Sequence, residues 1–182
     1  MSDKEYKAVL KNVRLSYPNI RKPFEEGGKL SARFLLDKDT QSDQIDKLEA
    51  LIQECMENEL EVKKLPSDRK CMRDGDDVDR DGYENTMFVS ASNDKIQILS
   101  RKREVISADD AAHHPDEPYA GCFVNVSLRL WAQNSKEYGK RINANLIAIQ
   151  FAKHGDAFGR GAIDATNDFD DIDDDDGEDW AA

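Results

Sequence analysis

The stretch that most limits the fold is residues 121–131, where Val124, Val126, Leu128 and Leu130 alternate with Phe123, Asn125, Ser127, Arg129 and Trp131. A period of two over this length describes a β-strand with one buried and one outward face. A polar connection over residues 133–139 leads to a second β-rich run, 141–151, which the spacing predicts to return antiparallel to the first. Near the N-terminus, residues 6–17 are again rich in β-branched and aromatic side chains. Val9, Val13, Leu15 and Tyr17 fall mostly on one side if a bulge sits near Lys11-Asn12, and Pro18 ends the strand. After a loop closing in Gly27-Gly28, residues 29–36 place Leu30, Ala32, Phe34 and Leu36 on one face and Ser31, Arg33 and Leu35 on the other. That is a hairpin with a long connection.

Between residues 42 and 61 the period changes to about 3.6, with Ile45, Leu48, Leu51, Ile52, Cys55 and Met56 in one stripe, which predicts an amphipathic helix N-capped by Ser42. Residues 63–85 read as a long polar loop. Strands are expected at 86–91 and 95–106, the second ending in Arg101-Lys102-Arg103, before a proline-bearing loop at 107–119. Five or six strands, one inserted helix and no βαβ alternation predict a mainly β fold, an antiparallel barrel or sandwich.

Charge divides the chain. The formal net charge is −12, from 38 acidic and 26 basic residues. Ten of the acids and none of the bases lie in residues 164–182, which leaves 28 acids against 26 bases over residues 1–163. The helical segment holds seven acids against Lys47, so the β part of the body is net positive by four. The tail, 164–182, has too little apolar material to offset its ordering entropy and is expected to be disordered. Its apolar residues Phe169, Ile172 and Trp180, set around Asp173, Asp174, Asp175 and Asp176, suit a partner-binding peptide. The chain is expected to be soluble and cytoplasmic, with no membrane partner, because no apolar run approaches the roughly 18–20 residues of a membrane helix and the first residues do not read as a signal peptide. Cys55, Cys71 and Cys122, odd in number and far apart, are expected to be reduced.

Trp131, Tyr138, Lys140 and Arg141, with Arg129, put aromatic rings among cations on the outward side of one hairpin. Bases stack on such rings while Lys and Arg neutralise phosphates, which suits single-stranded nucleic acid. The same pattern recurs at Arg14 with Arg33, at Arg21-Lys22 with Phe24, and at Arg101-Lys102-Arg103. A positive barrel tied to an acidic tail also implies competition, the tail occupying the basic groove until nucleic acid displaces it. No nucleophile motif, phosphate-cradling loop or metalloprotease signature is present, so no catalytic residue and no cofactor is assigned. The run Asp77-Val78-Asp79-Arg80-Asp81-Gly82 begins like a calcium loop but has Phe88 where the twelfth-position acid is needed, and no metal ligand is assigned.

Several stretches resemble a family of tailed-phage replication proteins that bind single-stranded DNA: Tyr119-Ala120-Gly121-Cys122-Phe123-Val124-Asn125-Val126, Arg129-Leu130-Trp131-Ala132-Gln133, and Tyr138-Gly139-Lys140-Arg141-Ile142-Asn143-Ala144. Arg80-Asp81-Gly82-Tyr83, Phe88-Val89-Ser90-Ala91 and Val13-Arg14-Leu15-Ser16-Tyr17-Pro18 extend the likeness over nearly the whole chain. The resemblance implies an OB-fold barrel with an inserted helix over residues 1–163, and an acidic tail that recruits replication or recombination proteins. It implies DNA-binding roles for Tyr17, Arg129, Trp131, Tyr138, Lys140 and Arg141. The expected partner is single-stranded DNA, with duplex DNA as a further candidate, in the host cytoplasm if the chain is phage-encoded. Two other readings remain open here: an acidic interaction protein or nucleic-acid mimic that sequesters a basic partner, and a metal-dependent nuclease built on residues 74–81.

Overall fold

The computed structural model describes residues 4–156 and 166–172. Its elements in chain order are β1 (Tyr6–Asn19), β2 (Leu30–Asp37), α1 (Ser42–Leu60), β3 (Met72–Asp74), β4 (Thr86–Asn93), β5 (Gln97–Leu99), β6 (Phe123–Ser135) and β7 (Gly139–Lys153). Strands β4, β2, β1, β6 and β7 are neighbours in that order, and a parallel contact of Ser92 in β4 with Asn145 in β7 joins the ends. The ring is therefore a closed five-stranded barrel of OB type, with α1 inserted between its second and third strands. β3 extends β4, and β5 runs parallel to β7 outside the ring.

The alternation in the sequence becomes the barrel interior. Val124, Val126, Leu128 and Leu130 of β6 are buried with Ile142, Ala144, Leu146, Ile149 and Phe151 of β7, and with Ala32, Phe34 and Leu36 of β2. α1 packs on β6, β1, β2 and β7, adding Ile45, Leu48, Ile52, Cys55, Met56 and Leu60 to the same core. Each fully buried side chain of this size contributes about 1.5–3 kcal/mol before entropy is subtracted.

The expected bulge is present, because the β1–β6 register shifts between Leu10 and Val13 and Asn12 adopts φ 55°. Its effect on facing differs from the expectation. Tyr6 and Leu10 point inward before the bulge and Val13 and Leu15 after it, so Val9 is left 51% exposed. A second irregularity, between Ser16 and Asn19, puts Tyr17 at φ 48° and turns its ring outward. β1 consequently runs through Pro18, whose missing N–H is tolerated where ladder pairing is interrupted. The bulge also explains why Ser42 is not the N-cap. Gln41 holds that position without a capping bond, and its amide instead donates to the Lys11 and Asn12 carbonyls, at 3.2 and 2.9 Å. Gln44 adds bonds to the Lys11 N–H and carbonyl, so the helix satisfies backbone groups that the bulge removes from the ladder.

Three other expectations are corrected. Residues 95–106 are not one strand: β5 ends at Leu99, the chain turns over residues 100–103, with Arg103 at φ 66°, and Val105 returns beside Leu99. The stretch 63–85 is not a simple loop, since it carries 3₁₀ turns at Ser67–Arg69 and Gly75–Asp77 as well as β3. The connection placed at 133–139 is mostly strand, with β6 reaching Ser135 and β7 starting at Gly139. Of the acidic tail, a 3₁₀ turn at Thr166–Asp168 and exposed Phe169 and Ile172 are described. Asp173, Asp174, Asp175, Asp176 and Trp180, and the expectation of disorder there, lie outside the described residues.

Candidate nucleic-acid interface

In OB-type barrels the second and third strands, with the first and last hairpin connections, form the face used for oligonucleotides. Here those strands are β2 and β4. Their outward positions pair Ser31 with Ser92 and Arg33 with Ser90, giving a floor of small hydroxyl side chains from which one guanidinium rises. Above this floor lies an open groove of about 810 Å³. Tyr17 and Phe24 border it from the β1–β2 side, and Trp131 with Asn143, cross-strand partners on β6 and β7, border it from the other. Lys29 and Arg80 also line it. Tyr17 is 51% exposed, Phe24 82% and Trp131 39%, so three ring surfaces are available to a ligand.

The groove unites Tyr17, Arg33 and Trp131 from the residues expected from the sequence. Tyr138, Lys140 and Arg141 lie farther along the β6–β7 hairpin. Arg141 is the cross-strand partner of Gln133, a groove residue, and its Nη2 donates to the Asp68 carbonyl at 3.1 Å. Lys140 Nζ donates to the Leu60 carbonyl at 3.2 Å, and Tyr138 stands 62% exposed at the tip. Arg129 is beside the groove on β6, but its Nε is held at 2.7 Å by Glu5. Arg14 and Arg101 are elsewhere. Arg14 donates to the carbonyls of Gly121 and Asp156, at 3.3 and 2.5 Å. Arg101 is paired with buried Asp116 at 2.9 Å, and its carbonyl accepts from Gln150. Gln150 is seven residues along β7 from Asn143, roughly 23 Å at about 3.3 Å per residue. Lys102 and Arg103 are exposed on that same distant turn.

Ion pairing separates these cations further. Glu5 and Asp116 offset the charges of Arg129 and Arg101, whereas among the described residues no carboxylate forms an ion pair with Arg33, Arg80, Lys29, Lys140 or Arg141. Burial pulls the Asp116 carboxyl upward, but the Arg101 backbone N–H and guanidinium outweigh it and hold the carboxyl below its ordinary range. Ion pairs therefore offset Arg129 and Arg101, whereas among the described residues the cations of the groove and the adjoining hairpin tip are not offset in this way.

Two groove residues, Arg80 and Lys29, were not singled out from the sequence. Lys29 had a local signal, since it extends the outward Ser31-Arg33 face by one step. Arg80 had none. It sits in the stretch that starts like a calcium loop, and that stretch is a packed arm. Tyr83 is buried, its hydroxyl 2.7 Å from Ser16 Oγ and its ring edge-on to Phe88 at 5.2 Å; Leu35 completes this small outer core. Lys38 ties down the base of the arm, its Nζ 2.7 Å from both Asp74 and Asp76. Arg80 thereby reaches the Tyr17 ring, with its guanidinium carbon 5.0 Å from the centroid and Nη1 donating to the phenol oxygen. Arg33 lies 5.5 Å from the same ring.

The Lys38 clamp has a defined pH dependence. Hydrogen bonds from Lys38 hold the Asp74 and Asp76 carboxyls below 3.8, and those carboxylates push Lys38 up to about 12. Depressed carboxyls stabilise the fold above 3.8 and lose that contribution as pH falls through their lowered values; the raised lysine contributes below 10.5 and loses its share as pH approaches about 12. Lys38→Met should therefore be less stable than the parent at neutral pH, and the gap in urea midpoint should close below pH 3.8. A gap that persists in strong acid would show that the clamp is not electrostatic.

Nucleophilic chemistry has no support at the thiols, because burial pushes Cys55 up to about 11 and Cys71 to about 12, keeping both protonated near neutrality. Among the described residues no group of three or more His, Cys, Asp or Glu is arranged to hold a metal ion. What the groove offers is ring faces beside unpaired cations over a small polar floor, the combination that base stacking with phosphate neutralisation requires.

The sequence matches, over residues 6–180, the family described as the ssDNA-binding protein of Enterobacter phage Enc34. It is 31% identical over 180 residues to protein p50 of Acyrthosiphon pisum secondary endosymbiont phage 1, covering 91% of this chain and 94% of that one. The fold is similar to the single-stranded DNA-binding protein from bacteriophage Enc34, with TM-score 0.73, 32% identity and 90% of each chain covered. It is equally similar to that protein in complex with ssDNA, at TM-score 0.73 and 32% identity over 84% of this chain and 89% of the other. The chain thus belongs to the phage Enc34 single-stranded DNA-binding protein family.

Proposed function

We propose that this chain is a non-catalytic protein that binds single-stranded DNA largely without regard to base sequence, serving phage DNA replication or recombination in the host cytoplasm. The observation that carries this reading is the groove itself, where Tyr17 and Trp131 present ring faces beside Arg33, and where no described carboxylate offsets that charge. Every base has a π-face, so stacking gives affinity without reading identity. The relative from bacteriophage Enc34 in complex with ssDNA supports the same assignment. Tyr138, Lys140 and Arg141 extend the path along the β6–β7 hairpin. Arg14, Arg101, Lys102, Arg103 and Arg129 stand outside it, on account of the partners and distances above.

The tail, residues 164–182, acts in this proposal as a competing polyanion, with Phe169, Ile172 and Trp180 among its acids as the docking element for replication or recombination proteins. Titration of oligo-dT into the full chain and into a chain lacking residues 164–182, across a salt series and with a duplex of equal length alongside, tests both parts. The full chain should prefer the single strand, with affinity falling as salt rises. Tail removal should tighten binding, most at low ionic strength. Absence of oligonucleotide binding would favour the nucleic-acid-mimic alternative, and weaker binding after truncation would refute the competition.

A further inference from the structure

We infer that Arg80 is a strand-contacting residue that changes partner on binding, leaving the Tyr17 ring for a DNA phosphate. This rests on the groove being the single-strand site, and adds a contact that neither the charge pattern nor the motifs of the sequence assign. Two guanidiniums stand at one exposed ring, Arg80 at 5.0 Å and Arg33 at 5.5 Å from the Tyr17 centroid. A base that stacks on Tyr17 competes with these cations for the ring. Arg33 is fixed to the barrel floor by β2 and also lies 5.2 Å from the Phe88 ring. Arg80 is the one that can yield: it is exposed, and apart from the ring its guanidinium has one described hydrogen bond, to the Tyr17 hydroxyl. The guanidinium stays at the groove wall when displaced, because Tyr83 and Gly75 hold the arm to either side of it. A planar cation beside a newly stacked base is placed to pair with the phosphate of that nucleotide. Asp79 and Asp81 flank Arg80 and line the adjoining hollow behind Tyr17, so negative charge closes that side to a phosphate backbone and leaves the main groove as the path.

The test compares the full chain with Arg80→Ala and Arg80→Lys in oligo-dT titrations over a salt series, with Trp131→Ala as the reference for the groove. Each phosphate contact on a single strand contributes about 0.7 to the slope of log affinity against log salt. Arg80→Ala should bind several-fold more weakly at low salt with a slope shallower by about 0.7, and Arg80→Lys should keep the slope. Unchanged affinity and slope in Arg80→Ala would overturn the inference, as would tighter binding, which would mean that Arg80 only obstructs the ring. Weaker binding with an unchanged slope would also overturn it, leaving Arg80 a support for Tyr17 alone. If the parent chain binds no oligo-dT, the groove reading itself has failed. If Trp131→Ala weakens binding while Arg80→Ala does not, only the role of Arg80 is lost.

Discussion

Replacing Trp131 by alanine should weaken binding to oligo-dT by roughly 5- to 150-fold, the equivalent of about 1–3 kcal/mol for one stacked base. The effect should be on binding rather than folding. Trp131 is 39% exposed and stands on the outward face of β6, while the core positions on either side of it, Leu130 and the buried Ile142 opposite Ala132, are untouched. Its backbone pairing with Asn143 does not depend on the indole. The thermal midpoint should consequently move by only a few degrees, a shift corresponding to about 1 kcal/mol in a domain of this size. A folded Trp131→Ala chain with parental affinity would remove the indole from the binding site. Phenylalanine at the same position should restore most of the loss, since it keeps a π-face; leucine of similar bulk should not.

Gly75→Ala should cause a large loss of stability in the arm. A Cβ at position 75 would lie 2.3 Å from the Tyr83 carbonyl oxygen, 2.4 Å from Thr86 Oγ1 and 2.8 Å from the Thr86 carbonyl oxygen. Two of these atoms are backbone and cannot rotate away, so the segment between Gly75 and Thr86 has to move. That movement strains the Thr86 Oγ1 bond to the Tyr83 carbonyl, now 2.6 Å, and withdraws the Tyr83 hydroxyl from Ser16. Overpacking together with a lost buried hydrogen bond should cost about 3 kcal/mol, or roughly 6–12 °C in thermal midpoint. Because Arg80 travels with the arm, oligo-dT affinity should fall as well. A Gly75→Ala chain that melts with the parent would show that the arm is not packed as described.

The sequence showed the barrel more clearly than the site. Strands β2, β6 and β7 were legible because a half-buried strand must alternate, and α1 because a helix packed on one side must repeat every three to four residues. Both are local rules. Positions where the rule bends were harder to read: Val9 and Tyr17 change face because β1 is interrupted twice, and a bulge shifts parity for every residue beyond it. The 95–106 stretch misled for a related reason, since a run of strand-forming residues can as well be a small hairpin when a turn at residues 100–103 brings Val105 back to Leu99.

Composition and periodicity, acting within a few neighbouring residues, were enough to specify a mainly β chain with one helix, an acidic terminus and outward rings among cations. Which of those cations belong together was decided only by the closed barrel. Arg33 and Trp131 meet because β4 and β7 join at Ser92 and Asn145, and Arg80 joins them because Gly75 and Tyr83 fold the arm back onto β2 and β4. Arg101 and Arg129, identical in charge to Arg33 and Arg80, are engaged by Asp116 and Glu5 instead. Electrostatic and stacking interactions depend on separation in space, and for residues a hundred positions apart that separation is set by strand register and ring closure, which no local pattern encodes.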